Sequence, residues 1–249
     1  MRTVSAPSRL VLGDEGFDFC PGCGYGSVLL ALGEVVRELN RPVVFIIDIG
    51  CVDFMTAHLP GDVMMGPHGR ASVLAAGYKR VNPDATVCAI QGDGAFAGIG
   101  ATETLHTAAR GEPITVIVLN NGVLADTGGQ MAPTTTAGQV TTTTPAGRTA
   151  EFGTAVAFLE MIAGLPGVTY AERVAISSAP RIRRVHRALS AAFDVQQAGG
   201  GLSVVEVVSP CPTHWRQEPA AAWEQVRELT GSSYPVGVVA DRRAAERRR

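Results

Sequence analysis

Lysine is almost absent from this chain of 249 residues, because Lys79 is the one lysine among 21 basic residues. Lys79 follows a tyrosine, which excludes a Walker-type phosphate loop with its Gly-Lys pair. The net charge of −2 provides no field that would attract nucleic acid or an anionic membrane. Apolar runs stay short of the ~20 residues that span a bilayer, and the N-terminus lacks the pattern of a secretory signal. We therefore expect a cytoplasmic protein whose partners are small molecules and other proteins, with no nucleic acid and no membrane.

Short apolar runs alternate with helix-like stretches along the chain. Strands are predicted at 43–49, 86–90, 114–119 and 202–208, and helices at 27–39, 70–81, 100–109, 154–163 and 181–197. Continuous apolar strands are typical of a parallel sheet that is buried on both faces. The alternation predicts an α/β fold, a doubly wound and mostly parallel sheet with helices on both faces. We expect one domain over residues 1–240 and a basic, disordered tail over 241–249.

The segment 122–148 interrupts this alternation, since glycine, threonine and proline dominate it. A loop of this length inside a compact domain is usually either functional or disordered. It directly follows the predicted strand that ends in Asn120 and Asn121, and ligands of open α/β sheets bind at the carboxyl ends of strands. The position of the segment therefore favours a function.

A Gly-Asp-Gly sequence follows the strand predicted at 86–90 and precedes a helix. A carboxylate in a phosphate-binding turn repels the phosphate, so Asp93 suits such a turn only if a cation lies between the two. Magnesium takes oxygen ligands and commonly bridges protein groups to phosphate oxygens. Asn121 ends the next strand and can lie beside Asp93, and the carbonyl of Val123 can complete the protein's share. Gly-Asp-Gly and Asn-Gly are also common turns, but their order along the chain favours a magnesium–diphosphate site.

Four of the five cysteines form a candidate ligand set. Cys20 and Cys23 form a Cys-Pro-Gly-Cys pair, and Cys51 and Cys211 lie at turn-like ends of apolar runs. Four thiolates are typical of a zinc site or an iron–sulfur cluster, and their spacing does not separate the two. A redox disulfide between Cys20 and Cys23, or simple burial of Cys51 and Cys211, is the alternative. Cys88 lies inside a predicted strand and is interpreted as a core residue.

The chain resembles the β subunits of 2-oxoacid:ferredoxin oxidoreductases, most closely the 2-oxoisovalerate/2-oxoacid type, from about residue 19 to 237. The matching motifs are Gly92-Asp93-Gly94 with Asn120-Asn121, His68-Gly69-Arg70-Ala71, Ile99-Gly100-x-x-Glu103, the run 114–121, and the run 127–135 that begins Thr127-Gly128-Gly129-Gln130. The resemblance implies the thiamine diphosphate-binding fold with thiamine diphosphate, Mg²⁺ and one [4Fe–4S] cluster as cofactors.

The resemblance also implies which residues bind these groups. It assigns Asp93, Asn121 and the Val123 carbonyl to Mg²⁺, and all four turn cysteines to the cluster. The residues that it implies around thiamine diphosphate are Gly50, Cys51, His68, Gly92, Asp93, Gly94, Ala95, Asn121, Val123 and Thr127. His68 is alternatively a turn residue before a glycine. The glutamate that activates the cofactor is expected on a partner subunit, so no catalytic residue is assigned here.

The implied activity is oxidative decarboxylation of a 2-oxoacid to an acyl-CoA, with electrons passing through the cluster to ferredoxin. The implied partners are the α and γ subunits, ferredoxin, coenzyme A and the 2-oxoacid. One departure from the family is Leu124-Ala125-Asp126, where relatives have an aromatic residue and a glycine. Asp126 either faces solvent or disfavours a substrate with a second carboxylate. The alternatives are a non-oxidative thiamine diphosphate decarboxylase or carboligase subunit and a zinc-stabilised, non-catalytic scaffold subunit.

Overall fold

The computed structural model describes residues 18–246, and residues 1–17 and 247–249 lie outside the described range. Its strands are β1 (Val43–Ile47), β2 (Asp62–Met65), β3 (Thr86–Gly92), β4 (Thr115–Asn120), β5 (Val123–Leu124), β6 (Gln130–Met131), β7 (Val168–Ala175), β8 (Leu202–Val208) and β9 (Gly237–Asp241). Its α-helices are α1 (Tyr25–Leu39), α2 (Ala71–Val81), α3 (Ala101–Arg110), α4 (Phe158–Ala163), α5 (Ala179–Gln197), α6 (Pro212–Trp215), α7 (Pro219–Gly231) and α8 (Arg243–Glu246). None of the helices in the described range is long and apolar enough to cross a bilayer.

The main sheet has seven strands in the order β2-β1-β3-β4-β8-β7-β9. All neighbouring pairs are parallel except β7 with β9. Helices α1 and α5 pack against one apolar face of the sheet, and α2, α3 and α4 pack against the other. Burial on both faces explains why the central strands are continuous apolar runs. The predicted doubly wound fold is confirmed.

Strand β7 was not predicted from the sequence, because charged residues interrupt its apolar run. Its Arg173 is 1% exposed. The guanidinium donates to both oxygens of Glu160 at 2.5 and 2.7 Å and, through Nε, to Glu206 Oε2 at 2.7 Å. The ring of Tyr234 lies 5.3 Å from the same guanidinium. A strand can bury a charge when its partners satisfy the charge in this way.

Residues 241–246 lie within the predicted disordered tail, but the structure places most of them in a strand and a helix. Asp241 is the last residue of β9, and residues 243–246 form α8. The arginines are ordered by specific partners: Arg242 donates to the carbonyls of Val168 and Ala163 at 2.5 and 2.9 Å, and Arg243 lies over the ring of Tyr170. The predicted tail residues 247–249 lie outside the described range.

The long segment after β4 is folded around one arginine. Arg148 is 6% exposed, and its guanidinium donates to six main-chain carbonyls. The acceptors are the carbonyls of Ala132, Pro133, Thr135, Phe152, Gly153 and Thr154. A buried arginine needs such a set of acceptors, because each unpaired donor would cost free energy. Arg148 thereby fixes the segment next to the carboxyl edge of the sheet.

Candidate functional site

One cleft lies at the carboxyl ends of β1, β3 and β4. It is lined by all ten residues that the sequence assigned to the cofactor: Gly50, Cys51, His68, Gly92, Asp93, Gly94, Ala95, Asn121, Val123 and Thr127. The sequence reasoning did not assign Tyr25, Ile49, Val52, Leu124 and Ala125, which also line the cleft, as does Asp126. The structure thus brings the predicted residues together, while their individual contacts with a cofactor stay predictions.

Asp93 lies buried at the floor of this cleft, with 2% exposure. Burial raises the pKa of its carboxyl from 3.8 to about 7, and the hydroxyl of Thr134 and the backbone N–H groups of Asp93 and Asn121 lower it. Thr134 donates directly to Asp93 Oδ2. The contact with the Asn121 backbone places the two predicted magnesium ligands side by side. A buried carboxylate whose ionisation is disfavoured suits a divalent cation, because the cation stabilises the charged form.

Asn121 is held in place by partners on both sides. Its Oδ1 accepts a hydrogen bond from the Val123 N–H at 3.1 Å, and its Nδ2 donates to the Tyr25 hydroxyl at 3.2 Å. Its carbonyl accepts from the Trp215 indole at 3.0 Å. The turn that carries Asn121 and Val123 is therefore fixed beside Asp93. Carboxylate, amide and carbonyl oxygens are the ligands that Mg²⁺ prefers, so these residues fit the ion.

Gly94 allows the loop after β4 to approach the Gly-Asp-Gly turn closely. A Cβ at Gly94 would lie 2.1 Å from Leu124 Cδ2. A side chain at this position would push Leu124 away and displace the residues that follow it. The glycine therefore matters for packing across the cleft, in addition to the exposed N–H groups that a phosphate site requires.

The cysteine turn packs directly against the segment after β8. The Cys23 N–H donates to the Cys20 carbonyl at 3.0 Å. A Cβ at Gly24 would lie 2.4 Å from Ser209 Oγ, so only glycine permits this approach. The Trp223 indole donates to the Gly22 carbonyl at 2.9 Å. Trp223 and Trp215 thus donate to main-chain carbonyls of this chain, at Gly22 and Asn121 respectively.

The four cysteines lie in one region as free thiols. Burial raises the pKa of Cys51 to about 12, and the charges of Asp126, Cys211, Cys23 and Cys20 raise it further. Burial likewise raises the pKa of Cys23 to about 12 and that of Cys211 to about 11. Protein-bound iron and zinc take thiolates, so metal must replace these protons. Cys88 is fully buried in β3 and lies apart from this group.

Within residues 18–246, no group of three or more His, Cys, Asp or Glu side chains is arranged to hold a metal ion. The structure therefore gathers the thiols and the Asp93–Asn121 pair without arranging either as a finished coordination shell. The cluster and the magnesium ion stay predictions.

Tyr25 forms a wall shared by the two sets of predicted ligands. It is 2% exposed, its hydroxyl accepts from Asn121 Nδ2, and it donates to the Leu119 carbonyl at 3.3 Å. Burial raises its pKa well above 10, and the charges of Asp93, Cys23, Cys51 and Cys211 act in the same direction. One side chain thus lies close to both regions. Its position two residues after Cys23 was the signal that the sequence offered.

Comparisons with known proteins agree with this geometry. Residues 48–207 match the family model described as thiamine pyrophosphate enzyme, C-terminal TPP binding domain. The ketoisovalerate oxidoreductase subunit VorA of Methanothermobacter thermautotrophicus is 39% identical over 229 residues, which cover 91% of this chain and 48% of the relative. The 2-oxoglutarate synthase subunit KorB of Archaeoglobus fulgidus is 36% identical over 213 residues, which cover 84% of this chain and 75% of the relative.

A solved 2-oxoglutarate:ferredoxin oxidoreductase from Magnetococcus marinus, with 2-oxoglutarate, coenzyme A and succinyl-CoA bound, has the same fold. The TM-score is 0.76 at 24% identity, covering 97% of this chain and 86% of that chain. The chain spans about half the length of the ketoisovalerate oxidoreductase subunits that it matches. The family model begins just after β1 and ends within β8, and this range includes all ten predicted cofactor residues. The chain belongs to the thiamine pyrophosphate enzyme family, as a β-type subunit of the 2-oxoacid:ferredoxin oxidoreductases.

Proposed function

We propose that this chain is the cofactor-binding β subunit of an enzyme that converts a 2-oxoacid and coenzyme A to an acyl-CoA and CO₂. The reaction releases one proton and two electrons, which leave through a [4Fe–4S] cluster to ferredoxin. The observation that carries the proposal is the single cleft lined by all ten predicted cofactor residues, with Cys51 belonging to both the cleft and the cysteine group.

In this proposal, the residues of the chain itself bind and orient the cofactor. Asp93, Asn121 and the Val123 carbonyl would hold Mg²⁺, and His68 and Thr127 would contact the diphosphate. Thiamine diphosphate, when bound there, would supply the nucleophilic carbon and the electron sink that decarboxylation of a 2-oxoacid requires. Asp93 and Asn121 are both buried, so the proposed metal ligands are shielded from solvent by their surroundings. No residue of the chain is assigned as the general base.

The missing parts are proposed to come from partner polypeptides. Relatives that are about twice as long as this chain support the idea that additional domains or subunits complete the enzyme. These parts, the α and γ subunits of the proposal, would contribute the activating glutamate and much of the substrate pocket. The cytoplasmic location and the docking of ferredoxin are likewise parts of the proposal.

The cluster is tested by metal analysis of the complete complex purified without oxygen. We expect about four iron and four sulfide per chain and a broad visible absorbance. Cys51→Ser should remove most of the iron, because its Sγ lies near the other three thiols and serine is a poor iron ligand. Cys88→Ala is the matched control and should keep the iron, since Cys88 is buried in β3 away from the group.

Other outcomes of the same analysis favour the alternatives. Zinc without iron and without bound thiamine diphosphate would favour the scaffold subunit. Bound thiamine diphosphate and decarboxylation without iron would favour the non-oxidative enzyme. Turnover with coenzyme A and a viologen acceptor, lost in Cys51→Ser, would support the proposal as stated.

The substrate is proposed to lack a second carboxylate, as 2-oxoisovalerate does. Asp126 lines the cleft, and its charge contributes to the raised pKa values of Cys51 and Asp53. Asp126→Asn should raise kcat/KM for 2-oxoglutarate relative to 2-oxoisovalerate about fivefold, because one exposed repulsion is removed. Asp84→Asn, an exposed acid just before β3 at the opposite edge, is the control. An unchanged substrate ratio in Asp126→Asn would refute this part of the proposal.

A further inference from the structure

Asp48 follows β1 and lies beneath the cleft. The sequence patterns did not assign it a function. Its side chain is fully buried, and its Oδ1 lies 2.9 Å from His68 Nδ1, within hydrogen-bond distance. His68 lines the cleft and follows β2. A buried carboxylate beside a site for an anion is unfavourable unless its charge is balanced. The position of Asp48 therefore calls for an explanation.

Five donors converge on this carboxylate. Oδ1 accepts from the Ile49 N–H at 2.9 Å, from the Gly69 N–H at 2.8 Å and from His68 Nδ1 at 2.9 Å, while Oδ2 accepts from the Ala71 N–H at 3.3 Å and from Gln91 Nε2 at 3.0 Å. The donors come from the end of β1, from the loop before α2 and from β3 just before the Gly-Asp-Gly turn. Asp48 therefore ties together the walls of the cleft.

The contact with His68 fixes the histidine ring. A carboxylate accepts at both oxygens, so His68 Nδ1 must carry the proton of this hydrogen bond. Nδ1 is thereby occupied, and Nε2 is the nitrogen left for a ligand. Diphosphate oxygens are acceptors, so Nε2 would act as a donor to them. The contact with Asp48 thus sets the orientation of the ring.

We propose that Asp48 is a positioning residue that holds the His68 ring with Nε2 directed at the diphosphate of bound thiamine diphosphate. This inference rests on the proposed contact between His68 and the diphosphate. The alternative is that Asp48 only orders the loop of residues 66–71 and has no effect on the His68 ring. The two roles differ in whether the effect of Asp48 depends on the imidazole.

A double-mutant cycle in the complete complex separates the two roles. The dissociation constant of thiamine diphosphate is measured by calorimetry at fixed, saturating Mg²⁺. His68→Ala and Asp48→Asn should each weaken binding about tenfold. In the His68→Ala background, Asp48→Asn should change the constant by less than about twofold, because the ring through which it acts is gone. Equal weakening in both backgrounds would overturn the proposal.

Glu103→Gln is the matched control. Glu103 pairs with Arg70 of the same loop at 3.1 Å, so the variant loosens the loop without touching the contact between Asp48 and His68. Its thiamine diphosphate affinity should stay within about twofold of the wild type. If it matches the loss in Asp48→Asn, loop order is the cause and the inference fails.

A second readout needs neither cofactor nor turnover. With ¹⁵N-labelled histidine, the His68 ring should show a protonated Nδ1 that Asp48→Asn removes or shifts. An unchanged His68 signal in the folded variant would contradict the positioning role. Failure of the proposed function itself looks different, since wild-type protein would then bind no thiamine diphosphate at all.

Discussion

Replacing Asp93 with asparagine is expected to weaken the magnesium-dependent binding of thiamine diphosphate by roughly 100-fold or more. Removing one partner of a buried charge pair typically costs ~3–5 kcal/mol, and ~1.4 kcal/mol corresponds to a factor of ten. Asparagine keeps the size of the side chain and can still accept from Thr134. The loss therefore reports the missing charge on the metal, and calorimetric titration at fixed Mg²⁺ measures it.

The same variant should be more stable than the wild type when both lack the cofactor. The pKa of Asp93 is raised from 3.8 to about 7 by burial, so the stability that protonation provides is full below pH ~4 and is lost as pH rises through 7. At pH 8 the penalty is on the order of 4 kcal/mol. Urea unfolding at pH 5 and pH 8 should show this decline in the wild type and a smaller decline in Asp93→Asn. An equal decline in both proteins would contradict it.

The second large effect is expected at Arg173. Arg173→Met should lower the free energy of unfolding by about 3–5 kcal/mol, because Glu206 is left as a buried carboxylate without its cation. The side chains of Arg173 and Glu206 are 1% and 4% exposed, so water cannot replace the lost partner. The measurement is the urea midpoint of the cofactor-free protein.

Arg184→Met provides the matched control. Arg184 lies 3.5 Å from Glu172, a residue of β7 like Arg173, but its own side chain is 37% exposed. Glu172 is buried, but it keeps the hydrogen bond from the Tyr170 hydroxyl when Arg184 is removed. The contact with the part-exposed Arg184 should therefore contribute ~0–1 kcal/mol, and this variant should unfold within about 1 kcal/mol of the wild type. Comparable losses in the two variants would mean that the network of Arg173 is not the stabilising feature.

The parts of the fold that the sequence predicted are those where burial and periodicity coincide. The strands β1, β3, β4 and β8 are short apolar runs, and each lies where its pattern indicated. Strand β7 was missed because Arg173 looks solvent-exposed in the sequence and is buried through partners distant in the chain, Glu206 and Tyr234. Arg242 likewise has distant partners that the sequence does not show, the carbonyls of Ala163 and Val168.

The cofactor cleft was predictable because strand ends of a parallel sheet meet at one edge. Asp93 and Asn121 follow neighbouring strands, so their proximity depends on topology alone. Asp48 and Tyr25 were missed, since their importance depends on which loops and side chains fold over them. The four cysteines were proposed as a group from the motif, and their thiols lie in one region, whereas the cluster itself stays a prediction.

The six carbonyls held by Arg148 have a consequence for how this segment can evolve. An arginine that binds main-chain oxygens recognises the path of the backbone and not the identity of the side chains along it. Side chains of residues 132–154 can therefore change while the segment still returns to the same place, except at Thr134, which donates to Asp93, and at Thr135, which donates to the Gly122 carbonyl. Substitution of the single arginine is the change that such drift does not tolerate.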